Sequence, residues 1–270
     1  KLYQQNGLSV SIQSGFNDYG ELISPIDEVM TGRADFGVDD LQLLNTIDDG
    51  GKLVVLAPIM QKSAAALVTS HDNRIVKIHD VIGKTIKSPS NNHLMNEFKV
   101  LLNAHKINLN QVKFIHGPIR LSDLNSPDID VLLTYGVNTA FYADRQASEV
   151  AVTDLSELGS AFYGNVVFTH QSVIDEYPQK VEQFLQASLA GWRYALNNTQ
   201  QTVSELSLLD NHLVPVSERV KYNTYYAESM KDYMRWPQVA VGESSLSRWH
   251  QIYNDLYNND LIKGGWNMDD

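Results

Sequence analysis

The chain has 270 residues, 43% of them hydrophobic and 20% charged, with a formal net charge of −11. That is apolar content enough for one large domain or two lobes, and an acidic surface without a Lys/Arg run argues against nucleic acid as partner, because phosphate binding needs clustered cations. Cysteine is absent, which removes disulfides, thiolate nucleophiles and Cys-ligated zinc or iron–sulfur centres together.

No stretch approaches the roughly 18 apolar residues of a membrane span, and no leader is visible before Lys1. The chain opens almost directly into structure, as expected of a mature form or an excised piece. Leu8, Val10 and Ile12 alternate with Ser9 and Ser11, the pattern of a half-buried strand. Ser14 to Asp18 reads as a loop, and a helix from about Ser24 to Thr31 stops at Gly32. A strand over 34–38 then runs into the adjacent carboxylates Asp39 and Asp40, followed at once by a leucine-rich helix to about Asp48. Asp-Gly-Gly at 49–51 is a turn. The runs 53–57 and 64–69 are continuously apolar, which suits strands buried on both faces, as in parallel sheets.

The next region repeats this grammar. A short strand at 83–86 ends in Ser88-Pro89-Ser90-Asn91-Asn92. The helix over about 93–104 carries Leu94, Phe98, Leu101 and Leu102 on one face. Strands follow at 112–115, 131–134 and 150–152, with a short helical piece at 121–124 and a helix from Tyr135-Gly136-Val137-Asn138 to about Arg145. After another apolar strand at 165–169, Ser172 and Asp175 predict a capping box. Behind it lies one long helix, roughly 173–197, with Pro178 near its first turn. The remainder predicts helices to about residue 263.

The order is a β/α lobe, one strand across, a second β/α lobe, one strand back and a helical tail on the first lobe. The expected parts are residues 1–70 and 164–270 in lobe 1 and residues 71–163 in lobe 2. Two crossing strands then form a hinge, and the cleft between lobes is the natural ligand site.

Several stretches carry a resemblance at this point: GRADFGV, LVVLAPIMQKSAAALV, VIGKTI, IDVLLTYGVNTAFY, FYGNVVFT and YPQKVEQFLQASLAGWRYAL. In order and spacing they resemble the thiamine-precursor-binding (thiamine pyrimidine synthesis-like) family of type II periplasmic solute-binding proteins. That family includes sensor domains of histidine kinases and diguanylate cyclases. The segment SSLSRWHQIYNDLYNNDLIKG is similar to the family's C-terminal helix. The resemblance implies an α/β, two-lobed fold, a periplasmic or extracytoplasmic location and a small-molecule ligand. It implies as partner either a membrane transporter or a membrane-anchored signalling output domain. Two features depart from the family. Its opening strand and helix, which carry an aromatic ligand contact, precede the position of Leu2. Its usual Asn-Glu, whose Glu can pair with an aminopyrimidine, is Asn138-Thr139 here.

Candidate ligand residues stand at strand ends, where open α/β sheets bind. In lobe 1 they are Phe16, Asn17, Asp39, Asp40 and Gln61, with Asp40 aligned to a small polar or acidic position of the family. In lobe 2 they are Ser88, Ser90, Asn91, Asn92, Tyr135 and Asn138, and on the return strand Tyr163 and Gly164. The expected ligand is a small polar or heteroaromatic molecule. It stacks on Phe16 or Tyr135, is hydrogen-bonded by the Asn and Ser side chains and meets Asp39 or Asp40 through an amino or ammonium group. Each residue also has a plainer role: helix capping for the Asp, Ser and Asn residues, turn chemistry for Tyr135 and Asn138.

Other chemistries find little footing. Gly83-Lys84-Thr85 lacks the upstream glycine of a phosphate loop, since residue 78 is Ile78. There is no His-x-x-x-His pair and no Gly-x-Ser-x-Gly elbow. No cofactor and no metal are expected. The alternative is an enzyme acting on a small heterocycle. The pyrimidine-making branch of the family uses a His/Cys-rich iron motif, for which a cysteine-free chain has no basis.

Overall fold

The computed structural model describes residues 1–17, 19, 21–89, 93–145, 150–209 and 214–266, and the side chains of these except at 138 and 142–145. In chain order the regular elements begin with α1 (Leu2–Gln5), α2 (Pro25–Met30), β1 (Phe36–Asp39), α3 (Leu43–Asp48), β2 (Leu53–Met60) and β3 (Ala65–Ser70). Next come β4 (Thr85–Ser88), α4 (His93–Ala104), β5 (Lys113–His116), β6 (Val131–Tyr135), α5 (Gly136–Arg145) and β7 (Val150–Asp154). The chain closes with β8 (Gly164–His170), α6 (Gln171–Glu176), α7 (Pro178–Asn197), α8 (Thr199–Leu206), α9 (Arg219–Tyr233) and α10 (Leu246–Asn258).

These elements form two compact units. Unit 1 is Lys1–Gln61 with Tyr163–Ser244, and unit 2 is Lys62–Phe162 with Ser245–Asp270. The expected division at residue 70 therefore moves. β3 pairs with β6 and β7 inside the sheet of unit 2, and its residues Ala65 to Thr69 are all buried, so the chain changes unit before this strand. The expected place of the last helix also changes. α10 packs on α4 within unit 2, where Trp249, Ile252 and Leu256 give it a buried face.

Unit 1 is built on a three-stranded sheet in the order β1-β8-β2. Both neighbours run antiparallel to β8. Phe168 of β8 is fully buried and stands opposite Gly37 on one side and Val55 on the other. A glycine is required at 37, because a Cβ there would run into the Phe168 ring. Phe184 of α7 stacks between Tyr3 of α1 and Phe36 of β1, with ring centroids 5.4 and 3.7 Å away. Ser24 caps α2 by accepting from Asp27 N.

Three expectations for unit 1 are corrected. Residues 8–14 form no strand. Among the described residues no strand pairs with them, and Ile12 is 83% exposed, so alternation alone did not make a ladder. The long helix is two helices. Tyr177 leaves helical geometry at φ −134 and ψ 52, because proline disfavours the α region in the residue before it, and Pro178 starts a new helix at its first position. The cap is His170, whose side chain accepts from Ser172 N, and not Ser172.

Unit 2 carries the sheet β5-β4-β6-β3-β7. Among the described residues its parallel pairings are those of β4 with β5 and with β6. β3 is antiparallel to both of its neighbours, and β2 of unit 1 is antiparallel as well. Continuous apolar runs thus did not report strand direction; they marked two-sided burial in β3, while Val54, Val55 and Leu56 of β2 are only half-buried. The core gathers Ile86, Val131 and Leu133 of the sheet against Leu94, Phe98, Leu101 and Leu102 of α4. Burying each such side chain contributes about 1.5–3 kcal/mol, so α4 is held on the sheet far more firmly than any single polar contact could hold it.

Candidate functional site

In unit 1 the carboxylates at the end of β1 take up defined partners. Asp39 Oδ1 accepts from Asp40 N at 2.8 Å, which closes a tight local turn. Asp40 Oδ1 accepts from Asn165 N at 3.2 Å. Asn165 has φ +39, an uncommon conformation for a residue with a side chain. Asp40 thus fixes the backbone at the start of β8 beside Gly164, which pairs with Met60. Tyr163 and Gly164 are both buried, while Asp39 and Asp40 remain half-buried, one step from solvent.

Tyr226 of α9 belongs to the same group. Burial, and then the negative charge of Asp40, push its phenol above the ordinary value of 10.0. It stacks with Tyr222 at 5.8 Å between ring centroids. The ring of Tyr226 is half-buried and the charge of Asp40 reaches it; an aromatic ring and a carboxylate each favour a cationic or amino-bearing group. Sequence reasoning missed Tyr226. The spacing of Tyr222 and Tyr226 at i, i+4 marked one helix face, but nothing in the sequence placed that face near Asp40.

The other lobe 1 candidates are engaged in their own framework. Asn17 Oδ1 accepts from Tyr19 N at 3.0 Å and Glu21 N at 2.9 Å, and its Nδ2 donates to Glu21 at 2.8 Å. The amide therefore serves to close the loop. Phe16 is half-buried and forms a bridge with Leu22. Gln61 is buried. Its backbone N donates to Tyr233 O at 2.8 Å and its Nε2 to Glu243 O at 2.7 Å.

In unit 2, Ser88 at the end of β4 is fully buried. Its Oγ shares a hydrogen bond of 3.0 Å with His116 Nδ1 of β5, the donor set by the imidazole tautomer. Tyr135 at the end of β6 is half-buried, and its hydroxyl lies 2.9 Å from His93 Nε2 at the start of α4. Thr139 donates to the carbonyl of Tyr135 at 2.8 Å, so its hydroxyl serves the first turn of α5. Ser90, Asn91 and Asn92 lie outside the described residues, as does the side chain of Asn138. His93 and His116 were not foreseen as partners of Tyr135 and Ser88. Their pairing depends on strand register, which the sequence does not state.

Among the described residues no group of three or more His, Asp or Glu side chains could hold a metal ion. No helix among them is long and apolar enough to cross a membrane.

The fold has known counterparts. The alkanesulfonate-binding protein SsuA from Xanthomonas axonopodis pv. citri, bound to MOPS, is similar at a TM-score of 0.62 and 12% identity, covering 88% of this chain and 80% of that chain. The periplasmic aliphatic sulphonate binding protein SsuA from Escherichia coli is similar at a TM-score of 0.66 and 12% identity, covering 88% and 79%. The desulfurization enzyme DSZB is similar at a TM-score of 0.62 and 12% identity, covering 99% and 89%. These likenesses show an α/β fold of the type II periplasmic-binding-protein kind. A comparison with curated proteins finds no match. The sequence profile described as NMT1/THI5 like matches residues 2–202, most of the chain, and the protein therefore belongs to the NMT1/THI5-like family.

Proposed function

We propose that this chain is an extracytoplasmic solute-binding module that takes a small polar or heteroaromatic ligand bearing an amino or ammonium group and does no chemistry on it. The candidate ligand residues of unit 1 and those of unit 2 both belong to this reading. The observation that carries it is the group in unit 1: Asp40, half-buried and bonded to the backbone at Asn165, with Tyr226 close enough to feel its charge. A carboxylate fixed in this way favours a cationic or amino donor and repels an anion. For that reason the sulfonates named for the SsuA proteins are not the ligands proposed here.

Occupancy has two outlets. A free binding protein delivers its ligand to a membrane transporter. A sensor domain passes it to a kinase or cyclase. A membrane-spanning segment and an output domain encoded in the same gene favour the sensor.

The fold shared with DSZB keeps an enzyme as the second reading. Against it, the chain has no cysteine; Ser88, which bonds His116, has no exposed surface from which to attack a substrate, and Ser172, which bonds His170, is taken up in the cap of α6.

Equilibrium dialysis against a 4-aminopyrimidine, a primary alkylamine and an alkanesulfonate tests the proposal. The expected result is retention of an amino compound, recovered with unchanged mass. Retention of the alkanesulfonate alone, or recovery of a product, overturns it.

A further inference from the structure

One buried acid has no part in the ligand residues above. Glu97 lies in the middle of α4 and is 2% exposed. Ser63 Oγ donates to its Oε2 at 2.6 Å, and Ser160 Oγ donates to its Oε1 at 2.6 Å. Each serine oxygen in turn accepts from the backbone two residues on: Ala65 N at 3.1 Å and Phe162 N at 3.3 Å. With those acceptor positions taken, both hydroxyl hydrogens are directed at Glu97. A carboxylate accepts at both oxygens, whereas a glutamine has one acceptor oxygen and would present N–H to the second hydroxyl.

Ser63 and Ser160 have a special place in the chain. They stand in the two segments by which it comes into unit 2 after Gln61 and leaves it before Tyr163. The segments are also joined directly, Ser63 N donating to Phe162 O at 3.1 Å. Arg248 of α10 adds two more bonds to the leaving segment, Nε to Ala161 O at 2.6 Å and Nη2 to Phe162 O at 3.1 Å. One turn before Glu97 on the same helix, His93 meets Tyr135, and residues four apart share a helix face. α4 thus meets a candidate ligand contact, Tyr135, through its first residue and carries a double tether to the crossing segments one turn later.

We infer that Glu97 is a positioning residue: it locks both crossing segments of unit 2 to α4, so that a ligand acting on Tyr135 and His93 is felt by both segments together. The inference rests on reading unit 2 as a ligand-binding lobe. Its test needs no ligand, so the two can fail separately.

The test is hydrogen exchange of the whole chain, read by mass spectrometry on peptides covering residues 62–65 and 160–162. Glu97→Ala should speed exchange there by about tenfold, the effect of losing one to two hydrogen bonds. Glu97→Gln and Ser160→Ala should give smaller increases. Peptides covering 85–87 and 131–133 should not change. Tyr135→Phe, which removes the bond from β6 to His93 at the start of α4, should speed the same two segments in the parent chain and add nothing in the Glu97→Ala background, the non-additivity of coupled sites. Should Glu97→Ala fail to fold, Glu97→Gln and Ser160→Ala carry both readings. Unchanged exchange at the two segments overturns the tether, as does equal acceleration across the unit 2 core. Additive effects of Tyr135→Phe overturn the coupling.

Discussion

Asp40 and Asp39 are neighbours with different work. Asp39 accepts from the next backbone N–H and shapes its own turn, whereas Asp40 reaches across to β8, and its charge helps raise the pKa of Tyr226. Asp40→Asn keeps an oxygen for Asn165 N and loses only the charge. It should weaken binding of an amino ligand by about tenfold or more, the size of a charged hydrogen bond, with little change in Tm. Titration calorimetry checks this. An equal or larger loss in Asp39→Asn with none in Asp40→Asn would move the contact to the other carboxylate.

Tyr226 gives a second handle at this scale. Its pKa is raised above 10.0 by burial first and by Asp40 second. As pH rises, the unfolded chain gives up this proton before the folded chain does. The contribution to stability is therefore whole below about pH 10 and is lost as pH rises through the folded value. The difference in absorbance at 295 nm between the parent chain and Tyr226→Phe should titrate above pH 10. Asp40→Asn should bring that midpoint down part of the way, since burial remains. A midpoint unmoved by Asp40→Asn would mean that the carboxylate does not act on the ring.

At the scale of elements, β8 is the centre of unit 1, and its fit against β1 depends on a missing side chain. Gly37→Ala drives a methyl into the Phe168 ring and should cost about 1–3 kcal/mol, as overpacked cores do. Gly15→Ala, with open space around it, should be nearly neutral. Thermal melts of the two variants check the contrast.

Many of these elements were legible in the sequence. The α4 periodicity, the apolar strands and the Gly32 stop all gave elements close to their observed places. Direction and pairing were not legible. β3 is apolar from Ala65 to Val68 and covered on both faces, which happens in antiparallel surroundings as well as parallel ones, and β2 is apolar although Val54, Val55 and Leu56 are only half-buried. Leu8, Val10 and Ile12 alternate well, yet alternation supplies only one face of a strand; a neighbouring backbone must supply the ladder. Pro178 was allowed near a helix start, and the restriction it places on Tyr177 decided where that start was.

For the whole molecule, the family resemblance and the two-unit division were in reach because strand–helix alternation is a long-range pattern. The place of α10 was not, because its buried face is equally apolar in either unit; Arg248 bonds to Ala161 and Phe162, and α10 packs on α4, which puts it in unit 2. The candidate ligand residues could be named from the sequence only by their expected places at strand ends and in loops. Their partners, Tyr226, His93 and His116, come from elements distant in sequence.

The proposed selection of an amino ligand by Asp40 would set this chain apart from the SsuA neighbours of its fold, which are named for sulfonates. A thermal-shift comparison tests this most directly, with the parent chain and Asp40→Asn each titrated with a 4-aminopyrimidine, a primary alkylamine and an alkanesulfonate. At about 100 times Kd a bound ligand adds roughly 2.7 kcal/mol, or about 5–10 °C in Tm. The account predicts that shift for an amino compound with the parent chain, a much smaller one with Asp40→Asn, and none with the sulfonate. A shift with the alkanesulfonate alone, or an amino-compound shift that Asp40→Asn leaves intact, would contradict it.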